Sequence, residues 1–260
     1  MTGLMDGRNV LITGVRNEWS IAWHCALALH RAGAGLAFSV LSEREASSVH
    51  KLLGASSIEA PVFLCDATDD ARVDALAAQV RDTFQGRLDG ILHSIAFARK
   101  EELSGEYLTT SRDGFVLAHE SSVYTLVNLS RATRPLLQAA GGGSIVTLTY
   151  LGAERVVPNY NVMGVAKAAL EASVRYLASD LGKDNIRVNA VSAGPIKTLA
   201  ARAIAGFDTM IRQVEERSPL RRAVGADEVA DAVLFLLSPL ARGVTGEVLY
   251  VDGGYHIMGM

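Results

Sequence analysis

The sequence predicts an α/β fold, a doubly wound parallel sheet with helices on both faces, formed as one domain. Three observations predict it. Apolar, β-rich runs alternate with amphipathic helical runs along all 260 residues. The apolar runs are continuous, the pattern of strands buried on both faces. No linker, repeat or low-complexity stretch divides the chain.

Residues 8–14 (RNVLITG) read as a strand ending on Gly14. Residues 20–33 follow at helical spacing, with Ile21, Ala22, Cys25 and Leu29 on one face and Gly33 as a stop. A second strand (35–41) leads to a second helix (43–54), and a third strand covers 61–66. The helix over 69–86 has a start signal in ATDD and an apolar face of Val73, Leu76, Val80 and Phe84. A fourth strand spans 88–96, and one long helical region spans 112–139. The glycine turn GGG opens a fifth strand at 141–150, followed by a helix over 160–182 and a sixth strand over 185–194. One or two short helices then precede a helix at 225–238 and a seventh strand at 246–254. Right-handed crossovers turn this order into a Rossmann-like sheet of about seven parallel strands. Its ligand crevice lies at the strands' carboxyl ends.

Composition narrows the class. The chain is 49% apolar and 20% charged, ordinary for a soluble globular protein. A formal charge of −3 without a basic block argues against nucleic-acid binding. No apolar run reaches the roughly 18 residues of a membrane span, and the N-terminal stretch does not read as a signal peptide. Cys25 and Cys65 lie far apart with no Cys/His cluster, so reduced thiols, a cytoplasmic location and no metal are the expectation.

Chemistry belongs just after the strands. The turn TGVRNEWSIA (13–22) lets backbone approach a pyrophosphate at a helix N-terminus. Of three fingerprint glycines it keeps only Gly14; Glu18 and Ser20 hold the other places. A plain turn with Ser20 as N-cap reads equally well. The second strand ends VLSER, where Leu41 and Ser42 select no ribose, and Glu43 and Arg44 either give opposite signals or are solvated helix-start charges. Asp66 either meets an adenine amino group or caps the helix near Asp69. HSIAFA (93–98) places small residues where a cofactor can lie close; His93 and His119 read as structural.

The fifth strand ends at Tyr150, and Tyr160 and Lys167 follow seven residues apart. Seven is nearly two helical turns, so the pair can share a face. A lysine there can hold a ribose, and a tyrosine hydroxyl can stabilise a developing oxyanion. The plain alternative is an amphipathic helix with a snorkelling lysine. After the sixth strand, SAGPIKTLAA breaks sharply at Gly194 and Pro195; Ile196 can pack a nicotinamide and Thr198 can meet a pyrophosphate oxygen. The short helical segment at 198–217 is a natural lid.

In this order the motifs resemble the short-chain dehydrogenase/reductase superfamily. More narrowly they resemble the bacterial NADH-dependent enoyl-[acyl-carrier-protein] reductases. The likeness rests on TGVRNEWSIA, HSIAFA, YLGAERVVPNYNVMGVAKAALEA, RVNAVSAGPIKTLAA and GEVLYVDGGYHIMGM, and it covers essentially the whole chain. A ketoreductase of the superfamily would want a tyrosine–lysine spacing of four, and position 164 is glycine.

The resemblance implies reduction of the trans-2 double bond of enoyl thioesters in fatty acid biosynthesis, with NADH as donor and NADPH not excluded. It implies cofactor contacts from Gly14, Ser20, Ile21 and Leu41, from Asp66, Ala67, Ser94 and Ile95, and from Lys167, Ile196, Lys197, Thr198, Leu199 and Ala200. Tyr160 would steady the thioester oxygen, Tyr150 would shape the acyl pocket, and Ala98 would touch substrate. The implied partners are an acyl carrier protein and further copies of the chain in a homotetramer. Departures are Leu41 at a place often polar, FARKEE without the usual proline, Val123 for a smaller residue, and Ala205, Asp208 and Thr209 where some relatives carry basic residues. The alternatives are an enoyl reductase for a specialised polyketide or CoA thioester, and a dinucleotide-binding regulator without catalysis.

Overall fold

The computed structural model describes residues 3–198 and 206–259. Its sheet contains β1 (Asn9–Thr13), β2 (Gly35–Val40), β3 (Val62–Leu64), β4 (Gly90–His93), β5 (Gly143–Thr149), β6 (Ile186–Ala193) and β7 (Val248–Val251). All neighbours pair parallel in the order β3-β2-β1-β4-β5-β6-β7. The order reverses between β1 and β4, which opens a crevice at their carboxyl ends.

Two apolar layers cover the sheet. On one face lie α1 (Ile21–Arg31), α2 (Glu43–Ala55) and α8 (Ala226–Leu237), which bury Leu29, Val49 and Val233 with Phe38 of β2. On the other lie α3 (Asp70–Thr83), α5 (Thr125–Ala139) and α6 (Asn161–Leu181), around Leu76, Leu129, Leu170 and Ile145. Each helix buries one stripe against strands that are apolar on both faces, as the continuous apolar runs require. Helix α4 (Arg112–His119) precedes α5, and α7 (Phe207–Arg217) lies between β6 and α8.

The long helical region predicted over 112–139 is not one helix. A π-helical turn, Glu120–Tyr124, separates α4 from α5. Such a turn inserts one extra residue into the helical ladder. There Ser122 Oγ accepts from the Phe97 N–H at 3.2 Å, and Thr125 Oγ1 lies 2.9 Å from His93 Nε2. Val123, in the same turn, packs against two of the apolar clusters.

The fourth strand is shorter than predicted. It stops at His93 because the next N–H, of Ser94, is taken by the Thr13 hydroxyl at 3.1 Å rather than by the ladder. Residues 94–98 thereby leave the sheet for the crevice.

Candidate active site

The strand-to-helix turn after β1 is built on Gly14, whose φ is +81°. A Cβ at this position would lie 1.9 Å from the Ser94 carbonyl oxygen, so the ends of β1 and β4 meet only through glycine. Thr13 Oγ1 locks the meeting: it donates to Leu92 O and accepts from Ser94 N–H, both at 3.1 Å.

Ser20 does not cap α1 with its side chain. Its hydroxyl instead accepts from the N–H groups of Arg16 and Asn17, at 3.1 and 3.2 Å, and folds the loop onto itself. The first turn of α1 therefore has no side-chain cap and no acidic residue. Its N–H groups and helix dipole suit an anion.

Beside this turn is a cavity of about 390 Å³. Gly14, Leu41, Asp66, Ala67, Ser94 and Ile95, which the resemblance implies as cofactor contacts, all line it. Asp66 does not cap α3; Asp69 does, accepting from the Arg72 N–H at 3.1 Å. Asp66 Oδ1 accepts from the backbone and hydroxyl of Thr68, which fixes the carboxylate at the cavity wall.

The charges that directly follow β2 in sequence stay at the solvated start of α2. Glu43 and Arg44 are exposed, and the acid on the cavity is Glu45. It accepts from the Leu41 N–H at 3.0 Å and pairs with Arg16 Nε at 3.0 Å. Sequence reasoning missed both residues. The signal was the Ser-x-x-Glu spacing of Ser42 and Glu45, a helix-start pattern that places a glutamate beside the strand end.

A second cavity, of about 320 Å³, shares Arg16, Ala96 and Phe97 with the first. Ile21, Ala98, Tyr150, Tyr160, Ile196 and Thr198 line it, together with Met163, which sequence reasoning missed. Lys197 is exposed and faces a separate opening with Asp208 and Arg212. Leu199 and Ala200 lie outside the described residues, as do Arg202 and Ala205.

Tyr160 is the N-cap residue of α6, just outside the helix, and Asn159 before it has a left-handed φ of 60°. Its ring meets that of Tyr150 edge-on, with centroids 5.2 Å apart. Gly152, in the turn after Tyr150, lies against the Tyr160 ring so closely that a Cβ would come within 2.5 Å of it. Burial, with Tyr150 adding to it, pushes the Tyr160 hydroxyl well above the usual tyrosine range. Burial also raises Tyr150, to about 12, with smaller effects from Tyr255 and Asp252. The Tyr150 hydroxyl points to Met210 Sδ of α7 at 3.0 Å.

Lys167 is buried on α6 and donates from Nζ to the Leu148 carbonyl at 2.8 Å. Burial lowers its pKa to about 8, and the Glu171 charge partly offsets this. His93 is structural, as the sequence suggested. Both ring nitrogens meet threonine hydroxyls, Thr147 at 2.8 Å and Thr125 at 2.9 Å. Each of these hydroxyls also donates to a backbone carbonyl, Thr125 to Ser121 O and Thr147 to His93 O. His119 Nδ1 lies 2.8 Å from the Phe115 carbonyl at the surface.

Burial, and secondarily the Lys167 charge, push His93 down from 6.5 to about 3. The unfolded chain binds this proton below its ordinary pKa and the folded chain does not. The stability contribution is therefore complete above about pH 6.5 and is lost as pH falls toward about 3. Urea midpoints measured across this window are expected to fall with pH, and His93→Gln is expected to flatten that fall by a few kcal/mol at most. An identical slope in both proteins would contradict the assignment.

A third cavity, of about 440 Å³, runs outward from Tyr150 and Met210. Arg155, Arg217 and His256 stand around it. Among the described residues no group of His, Cys, Asp and Glu is arranged to hold a metal, and no helix is long and apolar enough to cross a membrane.

Comparison with known proteins bears on this geometry. Residues 14–256 match the family model described as Enoyl-(Acyl carrier protein) reductase. The chain is 54% identical over 254 residues to the enoyl-[acyl-carrier-protein] reductase [NADH] FabI of Bacillus subtilis (strain 168), covering 97% of each chain. It is 44% identical to that of Salmonella typhimurium (strain LT2), covering 99% of this chain and 97% of the relative. The crystal structure of the Bacillus cereus reductase with NADP+ and indole naphthyridinone superposes with a TM-score of 0.96. It is 49% identical and covers 99% of this chain and 100% of its own. The Anaplasma phagocytophilum reductase in complex with NAD superposes with a TM-score of 0.94 at 45% identity, covering 100% of this chain and 98% of its own. The crevice between β1 and β4, the glycine-only turn and the buried Tyr160 and Lys167 are thus set in a chain that belongs to the enoyl-[acyl-carrier-protein] reductase family.

Proposed function

We propose that the protein reduces the trans-2 double bond of enoyl thioesters on acyl carrier protein, with NADH as donor, in fatty acid biosynthesis. The observation that carries this reading is the adjacency of the two cavities, which share Arg16, Ala96 and Phe97, one at the dinucleotide turn and one lined by the buried Tyr160. A dinucleotide fits the residues present: N–H groups without a side-chain cap at α1, a glycine-only approach at Gly14, and a cavity at the switch point.

Leu41, Asp66 and Ala67 hold the adenosine end. Gly14, Ile21, Ser94 and Ile95 lie along the pyrophosphate and nicotinamide, with Ile196 and Thr198 beyond them. Ser20 contributes by shaping the loop, since its hydroxyl is occupied by two N–H groups. Lys167 binds the nicotinamide ribose and is largely cationic at neutral pH, its pKa lying near 8. The strand end at Leu41 selects against neither NADH nor NADPH.

When bound, NADH supplies a hydride to the β-carbon of the thioester. Negative charge then develops on the thioester oxygen as an enolate forms, and a proton taken up at the α-carbon completes the saturation. The Tyr160 hydroxyl, held protonated by burial, donates a hydrogen bond to that oxygen. This bond strengthens only as charge appears, so it acts on turnover more than on substrate affinity. Ala98 touches the substrate and Tyr150 shapes the acyl pocket. The described part of the lid expected over 198–217 is α7, whose Met210 meets the Tyr150 hydroxyl. Arg155 and Arg217 at the outer cavity offer positive charge to an acidic carrier. The exposed Phe115, Val116 and Tyr124 offer apolar surface to further copies of the chain, in a cytoplasmic homotetramer.

The test compares NADH with NADPH on carrier-protein and CoA forms of one enoyl substrate. A preference for the CoA form favours the specialised reductase, and NADH binding without turnover favours the regulator. Tyr160→Phe is expected to lower kcat about 10²-fold with little change in KM. Lys167→Ala is expected to weaken NADH binding about tenfold or more. Unchanged kinetics in both variants would sink the site assignment.

A further inference from the structure

We propose that Glu171 is a positioning residue of the reductase site: it anchors the end of β5 through Thr149 and keeps Lys167 cationic from one helical turn away. The proposal rests on the reading that Lys167 binds the cofactor.

Lys167 and Glu171 stand four apart on α6, and both are buried, with 7% and 6% of their surface exposed. Each ties a successive residue of β5. Lys167 Nζ donates to the Leu148 carbonyl at 2.8 Å, and Thr149 Oγ1 donates to Glu171 Oε1 at 2.7 Å. The residue after Thr149 is Tyr150. The strand end that presents this tyrosine is therefore fastened by two adjacent side chains of the helix that carries Lys167.

Anchoring alone does not call for an acid. A glutamine carbonyl would accept the same bond from Thr149 without a buried charge. What a carboxylate adds is its field on Lys167, which raises a lysine that burial lowers. Other groups face the pair from every side. Arg175 shares the helix, Glu154 comes from the turn after β5, Tyr250 from β7, and neutral His93 from β4. Burial first, and Glu154 after it, raise Glu171, whereas Thr149, Arg175 and Lys167 lower it. The Thr149 bond thus favours the charged carboxylate that Lys167 needs.

The sign follows. Lys167 loses its charge as pH rises through about 8, so NADH affinity falls there. Without the carboxylate this fall begins earlier.

The experiment measures the Kd for NADH by fluorescence on the full chain, from about pH 6 to about pH 9.5. Glu171→Gln is expected to move the midpoint of the decline down by about one unit, with near-native affinity at the acid end. Glu171→Asp is expected to restore part of the shift. Thr149→Val, which removes the hydroxyl and keeps the volume, is expected to move the midpoint the same way. A native midpoint in both Glu171→Gln and Thr149→Val overturns the proposal. So does a Glu171→Gln affinity weakened equally at every pH, which marks a structural role only. Lys167→Ala separates the two readings. If it binds NADH as the native protein does, the cofactor role of Lys167 fails. If it binds weakly while Glu171→Gln keeps the native profile, the role of Glu171 alone fails.

Discussion

Gly14→Ala is expected to weaken NADH binding severely. The added methyl would lie 1.9 Å from the Ser94 carbonyl oxygen, well inside van der Waals contact. The carbonyl cannot retreat freely. Ser94 N–H is held by Thr13 Oγ1, which is itself bonded to Leu92 O, so the clash falls on the β1–β4 junction. The φ of +81° adds about 1–2 kcal/mol for any residue with a Cβ. Overpacking adds about 1–3 kcal/mol. Strain of that size relaxes by parting the two strand ends, which carry the turn and the wall of the adenosine cavity. The Kd for NADH is expected to rise more than about 10²-fold, with a lowered urea midpoint. Gly54→Ala is the control: it lies in α2, its Cβ would meet nothing within 4 Å, and alanine favours a helix. Native NADH affinity in Gly14→Ala would show that the close approach is not needed.

The contrast between these two glycines marks what the sequence can reveal. The sheet was legible because its strands are continuous apolar runs and its helices keep their stripes, signals carried by neighbours in sequence. The locations of Gly14, Asp66, Ser94, Ile95, Tyr160 and Ile196 were legible for the same reason, since each lies at or beyond the carboxyl end of a predicted strand. What was hidden depends on contacts across the fold. Ser20 reads as a cap, yet its hydroxyl turns back to Arg16 and Asn17. Glu43 and Arg44 draw the eye at the end of β2, whereas Glu45 reaches the cavity because Arg16 comes from another loop to meet it. The π-helical turn leaves no mark in the apolar periodicity of 112–139, and its Ser122 and the Thr125 just after it bond to the loop after β4 and to that strand's last residue. Lys197 follows a strand as its neighbours do, but the chain turns its side chain to the surface.

The spacing of seven between Tyr160 and Lys167 has a steric cause that predicts the second large effect. Gly164→Lys, which places a lysine four residues after Tyr160, is expected to inactivate the enzyme rather than convert it to a ketoreductase. A Cβ at position 164 would lie 2.8 Å from the Gly152 carbonyl oxygen. Gly152 has no room to yield, because its own Cα lies against the Tyr160 ring, where a Cβ would come within 2.5 Å. Pushing that turn away removes the surface on which the Tyr160 ring rests and moves Tyr150, the residue before it. A displacement of about 1 Å at a catalytic group is worth about 10²-fold in rate. Turnover of an enoyl thioester is therefore expected to fall at least that far in Gly164→Lys, and to fall measurably in Gly164→Ala, whose methyl alone makes the clash. NADH binding should persist in Gly164→Ala, since Lys167 and the Gly14 turn are untouched. This separates it from Gly14→Ala, in which binding itself is severely weakened. Full turnover in Gly164→Ala would mean that the turn yields without moving Tyr160. The glycine would then be incidental to the spacing of seven.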